Sequence, residues 1–257
     1  MSYILLGILQ GIFEWIPISS EGVVALVAQF LPGLKSPLDL ALFLHLGTAL
    51  AVLIYFGKDW MNILSFKDKN LLQFLIIATL ISLAVGFPVY KLLKGVAIGA
   101  GLLLVMGLGL LFTAYFQRTS TAGKPSRPAG WLPAKLNLNP NQLAAICGFL
   151  QGLSVIPGLS RSGSTIFGLA LGGVEPSQIL KISYMMSLPV VLASSCYLFL
   201  ENPILICESW RSLFFSFSVG ILSLHFLIKI SQKINFSKFA LIFGILCLIG
   251  AAIEFII

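Results

Sequence analysis

The sequence predicts an all-α membrane protein built as an inverted repeat, each half a re-entrant helical hairpin followed by three transmembrane helices. Three observations lead there. Of the 257 residues, 58% are hydrophobic and 10% charged, at a mean hydropathy of +1.01, which lies outside the range of soluble domains. Six apolar runs are long enough, at about 18 to 23 residues, to cross a hydrocarbon core of roughly 30 Å. Two further apolar segments break midway at a proline followed by serine and glycine, then resume as a second short piece.

The first broken segment is 3–31, and the spans 39–57, 71–90 and 96–116 follow it. The second is 142–174, followed by 178–200, 212–230 and 238–257. A chain that breaks at membrane depth needs protein or a watery cavity to satisfy its backbone, so each broken segment is expected to be a re-entrant pair of half-helices. A hairpin returns to its own side and three spans do not, so the second half starts on the opposite face. The repeats, 1–116 and 142–257, are therefore inverted, and such repeats build sites near the midplane where their broken elements meet. Between them, 117–141 carries Gly123, Pro125, Pro128, Pro133 and Pro140 and reads as a linker. The first apolar stretch has no Lys or Arg before it and is interrupted by Gln10 and Glu14, so it is not expected to be a signal peptide.

Charge sets the orientation. One set of links carries Lys58, Lys67, Lys69, Arg118, Lys124, Arg127, Lys135, Lys181, Lys229, Lys233 and Lys238; the other has Lys35, Lys91, Lys94 and Arg211, eleven against four. The positive-inside rule makes the first set cytoplasmic, with both termini on the outer face of the cell membrane. The net charge of +7 is accounted for by topology, with no basic stripe and no interleaved aromatics to engage nucleic acid. Cys147, Cys196, Cys207 and Cys247 are isolated in or beside apolar runs, without metal-ligand spacing.

The chemistry gathers at the two breaks. The second reads Pro157-Gly158-Leu159-Ser160-Arg161-Ser162-Gly163, and an arginine at membrane depth costs several kcal/mol unless it has a partner or a task, so a function is the default expectation. With a helix resuming at once, its N–H groups and the guanidinium suit a phosphate-like anion, with Ser160, Ser162 and Gly163 as further donors. The first break is a related stretch, in which Gln10-Gly11 leads to Pro17-Ile18-Ser19-Ser20-Glu21-Gly22 as Gln151-Gly152 leads to the arginine. Gln10 and Glu14 share one helix face. Glu14 is open to three readings: general base, cation ligand, or counter-ion of Arg161. Ser19 and Ser20 stand where serine ordinarily caps a helix, and Glu21 where the dipole favours an acid. His45, in Phe43-Leu44-His45-Leu46-Gly47-Thr48, is an interhelical hydrogen-bonding residue or a substrate contact, while His225 has no polar neighbours in sequence. The glycines of 95–101, with Gly107 and Gly109, permit close helix packing or a groove for an isoprenoid tail.

Gln10-Gly11-Ile12-Phe13-Glu14, Pro17-Ile18-Ser19-Ser20 and Pro157-Gly158-Leu159-Ser160-Arg161-Ser162-Gly163 together resemble the paired signatures of the undecaprenyl-pyrophosphate phosphatases, the bacitracin-resistance family. The resemblance covers essentially the whole chain, His45-Leu46-Gly47-Thr48 included. It implies hydrolysis of the terminal phosphate of a polyprenyl pyrophosphate, which releases the monophosphate carrier used for cell-surface glycan assembly. It also implies inverted repeats with two re-entrant hairpins, and a pocket on the outer face to which Glu14, Ser20 and Arg161 contribute. The first acidic position of the family motif is glutamine here, Gln10, a variation the pattern allows. One departure is larger. Where the family usually continues Ser-Ser-Thr-Gly-His, this chain has Ser19-Ser20-Glu21-Gly22-Val23, so the histidine is missing and Glu21 is the expected substitute acid or base.

The expected mechanism follows from phosphoryl transfer, which asks mainly for positioning and charge stabilisation. Arg161 would hold the phosphate oxygens, and Ser20 or a water, deprotonated by Glu14 or Glu21, would attack. A magnesium or calcium ion held by Glu14 and the pyrophosphate is the expected cofactor, resting mostly on the resemblance. The partners are the lipid substrate and the bilayer; a homodimer is left open, with no feature that calls for one. The competing readings are an inverted-repeat transporter or lipid flippase, and a catalytically silent prenyl-phosphate-binding relative.

Overall fold

The structure, a computed structural model, describes residues 2–16, 19–30, 37–93, 100–120, 138–230, 241–242, 244–249 and 251–252. Pro17 and Ile18 of the first motif, the lysines 35, 94, 233 and 238, Gly95 and Gly99, linker positions 121–137 and part of the predicted last span lie outside the described residues. Among the described residues the elements are all helices: α1 (Ser2–Phe13), α2 (Ser20–Gln29), α3 (Pro37–Tyr55), α4 (Gly57–Leu64), α5 (Lys69–Leu93), α6 (Ala100–Ser120), α7 (Pro140–Leu153), α8 (Arg161–Leu171), α9 (Pro176–Glu201), α10 (Pro203–Glu208) and α11 (Trp210–Ile230).

The boundaries follow local chemistry. Helix α7 starts in a capping box, with Asn139 and Gln142 exchanging side-chain to backbone hydrogen bonds and Pro140 in the first turn. The helices resuming after the breaks, α2 and α8, have Ser19 and Ser160 as N-caps. Helices α3, α5 and the Gln178–Glu201 part of α9 are long and apolar enough to cross a membrane. In the α3 span 67% of the residues are buried against 28% in that of α5, which makes α3 central and α5 peripheral. Two short helices were not foreseen. Helix α4 is too polar and too short for a span, yet it buries Trp60 and Ile63, and α10 is a single apolar turn and a half after α9.

Two helix pairs carry the closest packing. Helices α5 and α7 run parallel, from Gln73 Nε2 donating to Asn141 Oδ1 at 3.0 Å to Ser82 Oγ donating to Gly148 O at 2.9 Å. A Cβ on Gly152 would stand 2.8 Å from Ser82 O, so only glycine admits this approach. Helices α1 and α11 pack in the same way: a Cβ on Gly11 would stand 2.7 Å from Gly220 N, and Ser223 Oγ donates to Gly11 O at 2.5 Å. Between the pairs, α3 packs on both α9 and α11. The apolar interior divides likewise, one cluster joining Ala78, Cys147, Leu169, Met185 and Met186 and another joining Leu6, Val24, Leu40 and Leu44.

The two ends of the bundle are closed differently. At one, Lys181 pairs with Asp59 at 2.5 Å. At the other, Tyr90 donates to Asp39 at 2.6 Å, and Lys91 lies against the Phe87 and Tyr197 rings while its ammonium donates to the Tyr197 hydroxyl and to Glu201.

Candidate active site

Glu14 follows α1 by one residue and continues its hydrogen-bonding, its N–H donating to Gln10 O at 3.0 Å. The side chains of Gln10 and Glu14 therefore share a face, and Gln10 Nε2 donates to Glu14 Oε2 at 2.6 Å. The turn is fixed from outside. Trp15 Nε1 donates to Gly220 O at 2.9 Å, and the Tyr184 hydroxyl donates to Trp15 O at 3.1 Å with its ring edge-on to the indole.

The ambiguity of the paired serines is resolved by their hydroxyls. Ser19 is the cap, accepting from Gly22 N at 3.1 Å; Ser20, one position on, is free of that duty and donates to Glu14 Oε2 at 2.7 Å. His45 approaches from α3, with Nε2 3.2 Å from the same Glu14 oxygen and 3.4 Å from Ser20 Oγ. Its Nδ1 lies 2.9 Å from Ala41 O, an atom that only accepts, so Nδ1 carries a proton. A neutral ring then turns a lone pair from Nε2 toward Ser20, and a protonated ring donates to Glu14.

The other Glu14 oxygen, Oε1, binds Arg161 through Nη2. A buried carboxylate is costly without partners; Gln10, Ser20 and Arg161 donate to this one, and a protonated His45 adds a fourth, which stabilises the charge against desolvation. Arg161 keeps one nitrogen back: Nη1 is buried with no hydrogen-bond partner, as are Glu21 Oε1 and Gln10 Oε1. A buried donor and a buried acceptor left unsatisfied each cost about 1–3 kcal/mol, so Nη1 and Glu21 Oε1, both in residues that line the site, are the atoms a ligand has most to gain by reaching.

Glu14, Ser19, Ser20, Glu21, His45, Ser160, Arg161 and Ser162 line one small polar pocket of about 20 Å³, with Ser154 and Leu159 completing it. Gln10 touches it only through Glu14. The Gly163 N–H is committed to the Ser160 cap at 3.1 Å, so the donor expected there is engaged inside the protein. Ser154 had no signal in the sequence, since it sits in a turn whose path is set by its neighbours, and Leu159 lies within the arginine motif without a polar side chain to mark it. The pocket shares Glu21, His45, Ser154 and Arg161 with a mainly apolar cavity of about 170 Å³, which reaches Phe87, Tyr90 and Tyr197. His225 is elsewhere, edge-on to Phe226. The four cysteines are free thiols, two buried and two exposed.

Fold and site together define a helical membrane protein with a buried carboxylate, serine, histidine and arginine gathered where two broken helical segments meet. Residues 3–250 match the model of the bacitracin resistance protein BacA, and the chain belongs to that family. It is 34% identical to a protein of Haloarcula marismortui named undecaprenyl-diphosphatase, over 96% of this chain and 95% of the relative. Proteins of the same name from Methanococcoides burtonii, at 33% over 95% of each chain, and from Desulforudis audaxviator, at 32% over 93% and 91%, are similar.

Proposed function

We propose that the chain is an integral membrane phosphatase that hydrolyses undecaprenyl or another polyprenyl pyrophosphate to the monophosphate and inorganic phosphate, returning the lipid carrier to cell-surface glycan synthesis. One observation carries the reading: a single buried carboxylate, Glu14, joins the Ser20 hydroxyl, the His45 imidazole and the Arg161 guanidinium. A carrier of neutral solutes has no use for that combination. The names of the relatives agree with it.

In this mechanism the terminal phosphate enters against Arg161, which meets it with Nη1 and gives up part of its hold on Glu14. Ser20 Oγ attacks the terminal phosphorus as its proton passes to Glu14 or His45. The bond to the bridging oxygen breaks and the prenyl monophosphate leaves. A water then attacks the phosphoserine, yielding inorganic phosphate and returning the proton to Ser20. The family histidine replaced by Val23 is covered by two groups: His45, from α3, beside the serine, and Glu21, whose free Oε1 faces the same pocket, as acid or base.

The donor set fits a magnesium or calcium ion held chiefly by the substrate. No cluster of three or more His, Cys, Asp or Glu forms a cage among the described residues, and Glu14 has both oxygens engaged, so Glu21 Oε1 is the free protein ligand, with Glu14 joining as it loosens from Arg161. When bound, the cation would offset charge on the pyrophosphate oxygens.

The same proposal includes the inverted repeat and its two re-entrant hairpins. In its support, the first arm of each broken segment packs through glycines on the second span of the opposite half, α1 on α11 and α7 on α5. It also includes the outward-facing termini and site mouth, for which the eleven-to-four bias of Lys and Arg is the argument.

The test is phosphate release from farnesyl or C55 pyrophosphate by purified protein in detergent, with and without magnesium or calcium. Release that falls by about 10³-fold in Arg161→Ala is expected. Absence of release by wild-type protein that still binds the lipid would leave the flippase or the silent relative.

A further inference from the structure

We propose that Thr113, on α6, is a positioning residue that sets where Arg161 stands. It is not among the residues that line the pocket. Its hydroxyl instead donates to Gly158 O at 3.1 Å and accepts from Ser160 N at 3.0 Å, so one side chain ties both ends of the tripeptide that leads into the arginine. A threonine inside a helix commonly bonds back to its own preceding turn. This one, buried in the bundle, bonds across to the second half of the chain.

Three further features of α6 and the first loop converge on the same tripeptide. Ser19 Oγ accepts from Gly158 N at 2.9 Å, so Gly158 is held through both its N–H and its carbonyl. Gly158 has φ +95°, a conformation that suits glycine, and is packed onto the Met106 backbone. A Cβ on Gly109 would stand 2.8 Å from Pro157 O and from Leu159 N, so α6 reaches the loop backbone to backbone. Helix α6 is thus a template against which the arginine loop is cast, with Thr113 as its hydrogen-bonding contact. Arg161 follows Ser160 directly, and an error of about 1 Å in a charge-stabilising group can cost about 10²-fold in rate.

This inference rests on the phosphatase reading, and the experiment separates the two. Wild type, Thr113→Val and Thr113→Ser would be compared for kcat and KM with farnesyl pyrophosphate, for Kd with its methylene-bisphosphonate analogue, and for Tm. Valine keeps the shape and removes both hydrogen bonds. The expected result is a kcat/KM lower by about 10-fold or more and a matching loss of analogue affinity in Thr113→Val, with Thr113→Ser within about 3-fold of wild type. A Thr113→Val protein with a lower Tm but wild-type kcat/KM per folded molecule would overturn the positioning role and leave the phosphatase reading intact. Should Thr113→Val fail to fold, Thr113→Ser decides alone: wild-type kinetics support the role, and a loss equal to that of Arg161→Ala overturns it. Wild-type protein that neither releases phosphate nor binds the analogue would overturn both.

Discussion

The two breaks are built with the same parts and differ in chemistry. In each, a glutamine opens the motif, Gln10 or Gln151, and a serine caps the resuming helix by accepting from the glycine N–H three residues on, at 3.1 Å in both. After the cap they diverge. The first puts Ser20 where the second puts Arg161, and Glu14 corresponds in spacing to Val155. The scaffold is duplicated while the acid with its hydroxyl and the cation are each present once, so neither loop is a site alone. A buried glutamate without its arginine, or the reverse, would be an uncompensated charge, and breaking such a pair typically costs about 3–5 kcal/mol.

That comparison breaks most severely at Glu14. Glu14→Gln is expected to lower kcat by about 10³-fold, the loss of a proton acceptor combined with a misdirected serine, read as single-turnover phosphate release. It should also destabilise the protein, since Arg161 loses its counter-ion. Glu21→Gln sharpens the division of labour within the first loop. With its free oxygen assigned to substrate and cation, it should cost about 10-fold in kcat/KM, with a steeper dependence on added magnesium or calcium. A turnover unchanged by Glu21→Gln and abolished by Glu14→Gln would remove Glu21 from the mechanism.

The smallest effect compares the caps themselves. Ser160→Ala is expected to cost about 1 kcal/mol, since its hydroxyl caps α8 and otherwise meets the Ser162 hydroxyl at 3.2 Å, a group that borders the pocket. Ser19→Ala should cost about 2 kcal/mol, because Ser19 accepts from Gly158 N as well as from Gly22 N, and a buried N–H would be orphaned across the interface. Unfolding in mixed detergent micelles would rank the pair, and equal costs would deny that Ser19 joins the two loops.

Much of this is legible in the sequence, for reasons of range. Breaks at proline with serine and glycine are local, as are apolar runs of membrane length, and helices α3, α5, α6, α9 and α11 fall where the runs predicted them. The arginine and its flanking serines announced the site because their cost at membrane depth demands a use. What was hidden is what depends on phase or on distant contacts. Two adjacent serines look alike until a single helical step gives one the cap and the other the carboxylate. His45 read as an interhelical contact or a substrate contact, and it is an interhelical one, but its partner is the buried carboxylate of Glu14. Thr113 lies in an apolar run whose only mark was glycine, and its partners are 45 and 47 residues away.

The glycine seam between α1 and α11 has a consequence in time. Trp15 donates to a carbonyl 205 residues further along the chain. At a synthesis rate of about 5–20 residues per second, the first helix waits on the order of 10 to 40 s for the surface that completes it. For the first 147 residues of that stretch Gln10 and Glu14 are in or beside the bilayer without the arginine that balances them. The half of the molecule made first therefore acquires its final form late, once α11 has been made.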